Sequence, residues 1–273
     1  MSILEGKRAL VTGGASGIGR ATARKMADEG AAVAIADIDL DGARAVEEEI
    51  GAEGGAALAV AVDVSDTSQV EQAVEEAVRR LGGLDILCNN AADLSLLADD
   101  GDLLSTDVGI WDRTWAADLR SVMAMSKYAL PHLLKAGNAA IVNVSSVDGL
   151  SGDNTRFAYA TAKAGINILT ECMATAYGKR GVRCNAVLPG LVLSPAATEN
   201  LEAAPRLKQA FEENVLTPRL GSPEEVAAVI VFLASDAASY INGEQIRVDG
   251  GLLSHVPHYV QTRAFFESRN SKA

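Results

Sequence analysis

Tyr159 and Lys163 stand four residues apart in the run FAYATAKAG, residues 157–165. Positions i and i+4 of a helix share a face, so the phenol and the ammonium can reach the same small volume. Such a pair either does acid–base chemistry or packs, and spacing alone leaves both open. A second pattern, ALVTGGASGIGRATARKMADEG at 9–30, sets Gly13, Gly14, Gly17 and Gly19 between a strand-like run and a helical one. In such a turn, backbone amides and a helix N-terminus can approach a pyrophosphate, because no side chain holds it away. A bland tight turn is the competing reading. The next apolar run, AAVAIAD, ends at Asp37, eighteen residues beyond Gly19. A carboxylate there can accept hydrogen bonds from an adenosine ribose and repel a 2′-phosphate, or it can simply cap the following helix. Together, glycines and acid point to a dinucleotide site, with NAD favoured over NADP. Neither Ser16 nor Ile38 offers a cation for an extra phosphate.

These residues need elements to hold them. The runs RALVT, AAVAIAD, ALAVAVDV, LDILCN, AAIVNVSS, VRCNAVLPG and EQIRVDGG read as seven strands. Amphipathic stretches such as 68–81 and 226–234 lie between most of them. Strands regularly separated by helices imply parallel βαβ crossovers, hence an α/β fold with a doubly wound, Rossmann-like parallel sheet. The expected organisation is one domain over 1–251, including a helical substrate loop at 194–217, followed by a C-terminal extension at 252–273. Residues 93–107 form an acidic loop. Loops at the carboxyl ends of strands are where open α/β sheets bind ligands, so both loops are expected to border a substrate.

Composition narrows the function. The chain has 273 residues, 24 Lys and Arg against 36 Asp and Glu, and a formal net charge of −12. Repulsion from a phosphate backbone argues against nucleic-acid binding. Three scattered cysteines fit a reducing compartment and neither a disulfide framework nor a zinc site. No stretch approaches the ~18 apolar residues of a membrane span, and the N-terminus has no signal-peptide core. The expected location is the cytoplasm, with no membrane partner.

The ordered set TGGASGIG at 12–19, DV at 63–64, NNAA at 89–92, IVNVSS at 141–146, YATAK at 159–163, PG at 189–190 and VDGG at 248–251 closely resembles the short-chain dehydrogenase/reductase family across nearly the whole chain. The resemblance implies that Gly13, Ser16, Ile18 and Gly19 surround the pyrophosphate, Asp37 the adenosine ribose, and Asp63 with Val64 the adenine. Asn90 and Ala91 would lie beneath the cofactor. Pro189 and Gly190 would also touch it, with Val192 and Ser194 near the nicotinamide amide. Tyr159 would be the acid/base, with Lys163 holding the nicotinamide ribose. A free phenol titrates near 10, and positive charge from Lys163 and oxidised nicotinamide would make it more acidic. The family pattern puts a serine thirteen residues before the tyrosine, which selects Ser146 to bind the substrate oxygen. Ser145 is expected to satisfy local backbone groups. No GxSxG turn or adjacent histidine supports a hydrolase.

Two positions depart from the family. Asp118 stands where asparagine is common, in a helix whose kink supports a proton path to the lysine. As a catalytic contributor, Asp118 would preserve the relay if that path runs through its backbone carbonyl; alternatively, its charge would alter the lysine's balance and the pH profile. Ala92 replaces a glycine. The expected function is an NAD-dependent oxidoreductase acting on CH–OH donors, interconverting a secondary alcohol and a ketone. Leu94, Leu96, Leu150, Leu191 and Leu193 suggest a moderately apolar substrate, alicyclic or steroid-like. The rivals are an NADPH-dependent ketoacyl-type reductase and a non-catalytic nucleotide sensor of the same fold. The resemblance also implies a homotetramer through helices near 108–136 and 156–179, whose tails could cover a neighbour's active-site mouth. Trp111 with Trp115, His255 with His258, and the acidic stretch 98–102 read as packing, tail and solvated face rather than ligand sites. No metal site is expected.

Overall fold

The computed structural model describes residues 2–270. Seven parallel strands form its sheet: β1 (Arg8–Thr12), β2 (Ala32–Asp37), β3 (Ala56–Ala61), β4 (Ile86–Asn89), β5 (Ala139–Val144), β6 (Val182–Pro189) and β7 (Gln245–Val248). Their spatial order is β3-β2-β1-β4-β5-β6-β7. The order reverses between β1 and β4, which opens the crevice where doubly wound sheets bind ligands.

The strands are apolar almost throughout because helices cover both faces. One apolar layer joins Val11, Val33, Ile35 and Val142 to Ala23 and Met26 of α1 (Gly17–Asp28), to Val46 and Ile50 of α2 (Leu40–Ala52), and to Ile230 of α9 (Pro223–Ala234). The opposite layer sets Leu10, Leu87 and Ile141 against α3 (Thr67–Leu81), α5 (Ser121–Ala136) and α6 (Phe157–Tyr177). α3 shows how local sequence makes such a helix. Asp66 caps its N-terminus, Val70, Ala73, Val74 and Ala77 form the buried stripe, and Gly82 ends it at φ 76°.

Three strands stop short of their apolar runs. β3 ends at Ala61 because the Asp63 carboxylate accepts from the amide and hydroxyl of Ser65 and turns the chain. β5 ends at Val144, and Ser146 starts a turn of 3-10 helix. β7 ends at Val248, where Asp249 accepts from the amides of Gly251 and Leu253.

The segment expected as a helical loop is a pair of helices, α7 (Pro195–Glu202) and α8 (Pro205–Asn214). Leu201, Val215 and Leu220 form a small separate core beneath it. Within the C-terminal segment, residues 259–270 form α10 (Tyr259–Asn270), and residues 271–273 lie outside the described residues. His255 shares a hydrogen bond of 2.7 Å with the Asn214 carbonyl and packs on Tyr259, so the tail docks on its own substrate loop. Among the described residues, no helix is long and apolar enough to cross a membrane.

Candidate active site

Parallel strands bring the glycine turn, Asp37, Asp63 with Val64, Asn90 with Ala91, Ser146, and Pro189 with Gly190 to one edge of the sheet, where their strands end. The turn after β1 is tied to the end of β4. The Asn90 side-chain amide donates to the carbonyls of Thr12 and Gly13 at 3.0 and 3.1 Å. The Thr12 hydroxyl accepts from the amides of Asn90 and Ala91. A threonine at a strand end carries no local mark of that job, so the role of Thr12 is visible only in the fold.

The glycines divide into two kinds. A Cβ on Gly19 would sit 2.0 Å from the Gly13 carbonyl oxygen, and one on Gly14 2.7 Å from Ile35, so those two permit packing. At Gly17, φ is +52° and a Cβ would meet only Ser194, at 3.6 Å. The first turn of α1 receives no side-chain cap from Ser16, whereas α2 and α3 are capped by Asp39 and Asp66. An uncapped helix N-terminus behind an open glycine is a donor set suited to a pyrophosphate. Val192 bridges to Gly221, and Ser194 caps α7, so the substrate loop begins beside this turn.

At the end of β2, the Asp37 carboxylate accepts from Ala15 at 2.9 Å and from Asp39 at 3.0 Å. These bonds fix its position and leave lone pairs for a further donor. Four other cofactor residues read from the motifs also have a local role here: Asp63 caps its turn, Ile18 and Val64 pack against the two cores, and Gly190 lets Asp249 approach.

The catalytic candidates meet across β5, α6 and a π-helical turn at Ala116–Arg120, which joins α4 (Val108–Trp115) to α5. π-Turns are frequent at functional sites. The small residues of 157–165 explain the close fit. A Cβ on Gly165 would lie 2.8 Å from the Leu119 side-chain end on the π-turn, so a larger residue there would push that side chain aside. Lys163 is buried, with Nζ 3.4 Å from the Val144 carbonyl, 3.7 Å from Asp118 Oδ2 and 5.3 Å from the Tyr159 ring centre. Asp118 is fully buried. Its Oδ1 accepts from the Asp93 amide at 3.0 Å, and its Oδ2 has no hydrogen-bond partner among the described residues. Ser145 donates to the Lys163 carbonyl at 2.9 Å, and the Ser146 oxygen accepts from the Asp148 amide at 3.1 Å.

Protein charges do not make the phenol acidic. Burial pushes Tyr159 above its ordinary value, and Asp118 and Asp148 push the same way, against Ser146 and Arg156. In the protein alone, the Asp118 carboxylate 3.7 Å from the Lys163 ammonium offsets the pull that Lys163 exerts on the phenol. Burial also raises Asp118, which Lys163 opposes.

Asp100 corrects a second expectation. Read as part of a solvated acidic face, it is 2% exposed. Its carboxylate accepts from the amides of Ala158 and Tyr159 at 3.0 and 2.8 Å, and its carbonyl from Arg156 at 2.8 Å. A carboxylate 58 residues away in sequence therefore caps α6, and spacing gives no sign of it. Replacing Asp100 by Ala should lower unfolding free energy by about 1–3 kcal/mol, and Asp100→Asn by roughly half as much. Denaturant titration checks this; a loss no larger than that of Asp99→Ala would contradict the cap.

Around the site, Leu94 and Leu150 are exposed, while Leu96 is buried and Leu191 with Leu193 pack on the small core, so three of the five leucines serve the fold. Trp111 and Trp115 stack 5.4 Å apart. No group of three or more His, Cys, Asp or Glu among the described residues could hold a metal.

Comparison with known proteins adds the following. The family model described as enoyl-(acyl carrier protein) reductase matches residues 13–253. A Bradyrhizobium diazoefficiens protein named as a probable short-chain type dehydrogenase/reductase is 43% identical over 259 residues, covering 95% of this chain and 92% of that one. A cis-4-hydroxycyclohexanecarboxylate dehydrogenase of Sinomonas cyclohexanicum is 42% identical, with 89% and 95% covered. A solved Burkholderia xenovorans structure, assigned provisionally as a short-chain dehydrogenase/reductase, superposes with a TM-score of 0.88 at 34% identity, over 94% of this chain and 100% of that one.

Proposed function

The chain belongs to the short-chain dehydrogenase/reductase family of nicotinamide-dependent oxidoreductases, and from that premise we propose that it interconverts a secondary alcohol and a ketone with NAD. The observation that carries this reading is the convergence of Ser146, Tyr159 and Lys163 on the strand edge that also holds an uncapped glycine turn and Asp37. A bound nicotinamide would supply the acceptor for the hydride that leaves the carbinol carbon. Gly13, Ser16, Ile18 and Gly19 would hold the pyrophosphate, Asp37 the ribose, Asp63 and Val64 the adenine, and Asn90, Ala91, Pro189, Gly190, Val192 and Ser194 the nicotinamide half. The Ser146 oxygen accepts from the Asp148 amide, which holds beside the Tyr159 phenol a hydroxyl that can donate to the substrate oxygen. Tyr159 takes the alcohol proton. Lys163 adds the positive charge that supports the tyrosinate once cofactor is present.

Burial first, and Asp118 second, raise the pH at which this happens. The negative charge of Asp118 favours the protonated phenol, so the ascending limb of kcat/KM for oxidation lies at alkaline pH. In Asp118→Asn that charge is gone and Lys163 is uncompensated. Both changes lower the pH at which tyrosinate forms. The limb should move down by about one unit; a pH–rate profile that stays in place would contradict the coupling.

The exposed Leu94 and Leu150 support a moderately apolar, alicyclic or steroid-like substrate. Relatives named for a cyclohexane carboxylate and a 7α-hydroxysteroid point the same way. A ketoacyl-type reductase is the second reading, favoured by a 38% identical Thermotoga maritima relative of that name; Asp37 argues against its NADPH. The proposal includes a cytoplasmic homotetramer, supported by Met123 and Ile168 exposed on α5 and α6. Steady-state reduction of NAD and NADP across linear, cyclic and steroid secondary alcohols tests it. Turnover with NAD supports the reading, and turnover mainly with NADP would promote the reductase.

A further inference from the structure

Two charged side chains flank the candidate reacting oxygen and are unused by the chemistry above. Asp148 lies two residues after Ser146, and Arg156 three residues before Tyr159. They are half-buried, 24% and 34% exposed, with Arg156 Nη1 3.6 Å from Asp148 Oδ2. That distance is too long for a hydrogen bond. Among the described residues neither side chain makes any other polar contact. Arg8 meets Asp85 through side-chain bonds of 2.7 and 2.9 Å, and Arg219 meets Glu225 at 2.8 and 3.0 Å, whereas Lys7–Asp236 at 3.8 Å and Lys208–Glu212 at 3.9 Å are as open as Asp148–Arg156. What sets the Asp148–Arg156 pair apart is its place beside Ser146 and Tyr159. Arg156 is the one non-glycine residue with positive φ among those described, at 60°, and its amide is pinned to the Asp100 carbonyl. Left-handed backbone at such a residue is sparsely populated and persists where its surroundings fix it.

The chemistry of the gap selects its occupant. A carboxylate only accepts and a guanidinium only donates, whereas a hydroxyl does both. A hydroxyl lying beside the pair, within reach of both, would accept from Arg156 and donate to Asp148. An anionic group would gain from Arg156 and lose to Asp148, so the pair gives it no net attraction. We infer that Asp148 and Arg156 form a subsite for a second hydroxyl of the substrate, which makes the preferred alcohol a diol or polyol rather than a mono-alcohol. This rests on the alcohol–ketone reading above and narrows its substrate class; an alicyclic diol meets both.

The test is the ratio of kcat/KM for diol over matched mono-alcohol with NAD, using cyclohexanediols against cyclohexanol and butanediols against 2-butanol. It is measured in the wild type, Asp148→Asn and Arg156→Asn, asparagine being tolerant of the left-handed backbone. A ratio taken within one preparation cancels any loss of folded enzyme. The wild type should favour its best diol by about 100-fold, less than a fully buried site would because the pair is part-exposed, and each variant should bring the ratio within about threefold of one. A wild-type ratio near one, or a ratio that survives both substitutions, overturns the subsite while leaving the oxidoreductase reading intact. So does a preference for a hydroxy acid that Arg156→Asn abolishes and Asp148→Asn enhances. No turnover of any of these alcohols, in the presence of bound nucleotide, contradicts the parent reading and the subsite with it.

Discussion

Tyr159→Phe should lower kcat/KM for alcohol oxidation by about 10³-fold, with the loss in kcat rather than KM. The substitution removes one oxygen and keeps the ring. The ring's placement 5.3 Å from Lys163 Nζ, and its anchoring through the backbone amide to Asp100, do not involve the phenol. The fold and the nucleotide site should therefore persist, and unfolding measurements should show a change of less than about 1 kcal/mol. What disappears is the group that takes the alcohol proton as the hydride leaves. The remaining acids nearby are poor substitutes: Asp118 is buried against Lys163, and Asp148 is part of a charge pair. A variant that keeps more than about a tenth of wild-type kcat would mean that another base serves, since general acid–base catalysis is worth at least about 10²-fold.

Nucleotide choice should turn on Asp37. The wild type should prefer NAD over NADP by about 10²- to 10³-fold in kcat/KM, because a fixed carboxylate accepts from ribose hydroxyls and repels a doubly charged 2′-phosphate. The position is rigid: both Asp37 oxygens are already held, one by Ala15 and one by Asp39, so the charge cannot swing away from an incoming phosphate. Asp37→Asn retains the shape and one acceptor and removes the charge. NADP turnover should rise by about tenfold or more, while NAD turnover falls by roughly the same factor as the charge-assisted bonds weaken. Parallel kinetics with the two nucleotides measure this. An unchanged ratio would place the discrimination elsewhere on the crevice.

Why were these parts legible in the sequence? Strand runs, the glycine turn and the Tyr–Lys spacing are local patterns, and a parallel sheet converts strand order into one edge that collects their ends. The seven strands and their helices follow from periodicity, with errors only where a side chain such as Asp63 turns the chain early. What spacing could not reveal are contacts between distant segments. Asp100 looked like one of several solvated acids, yet it caps α6. Asp118 was legible as a charge able to alter the lysine's balance; the fully buried gap of 3.7 Å across which its carboxylate faces Lys163 was not. Leu191 and Leu193 have the composition of a substrate mouth, and they pack under the loop instead. In each case residue type was informative and the partner was not.

The central claim is that the site moves a hydride from a carbinol carbon to a nicotinamide, with Tyr159 handling the proton. It is tested most directly by incubating the full-length protein with NAD and a secondary alcohol deuterated at the carbinol carbon, followed by mass analysis of the nucleotide. The account predicts one deuterium in the reduced nicotinamide, none exchanged with solvent, and a rate that falls about 10³-fold in Tyr159→Phe. Reduced nucleotide carrying solvent hydrogen, or nucleotide that binds and stays oxidised with every alcohol offered, would contradict it.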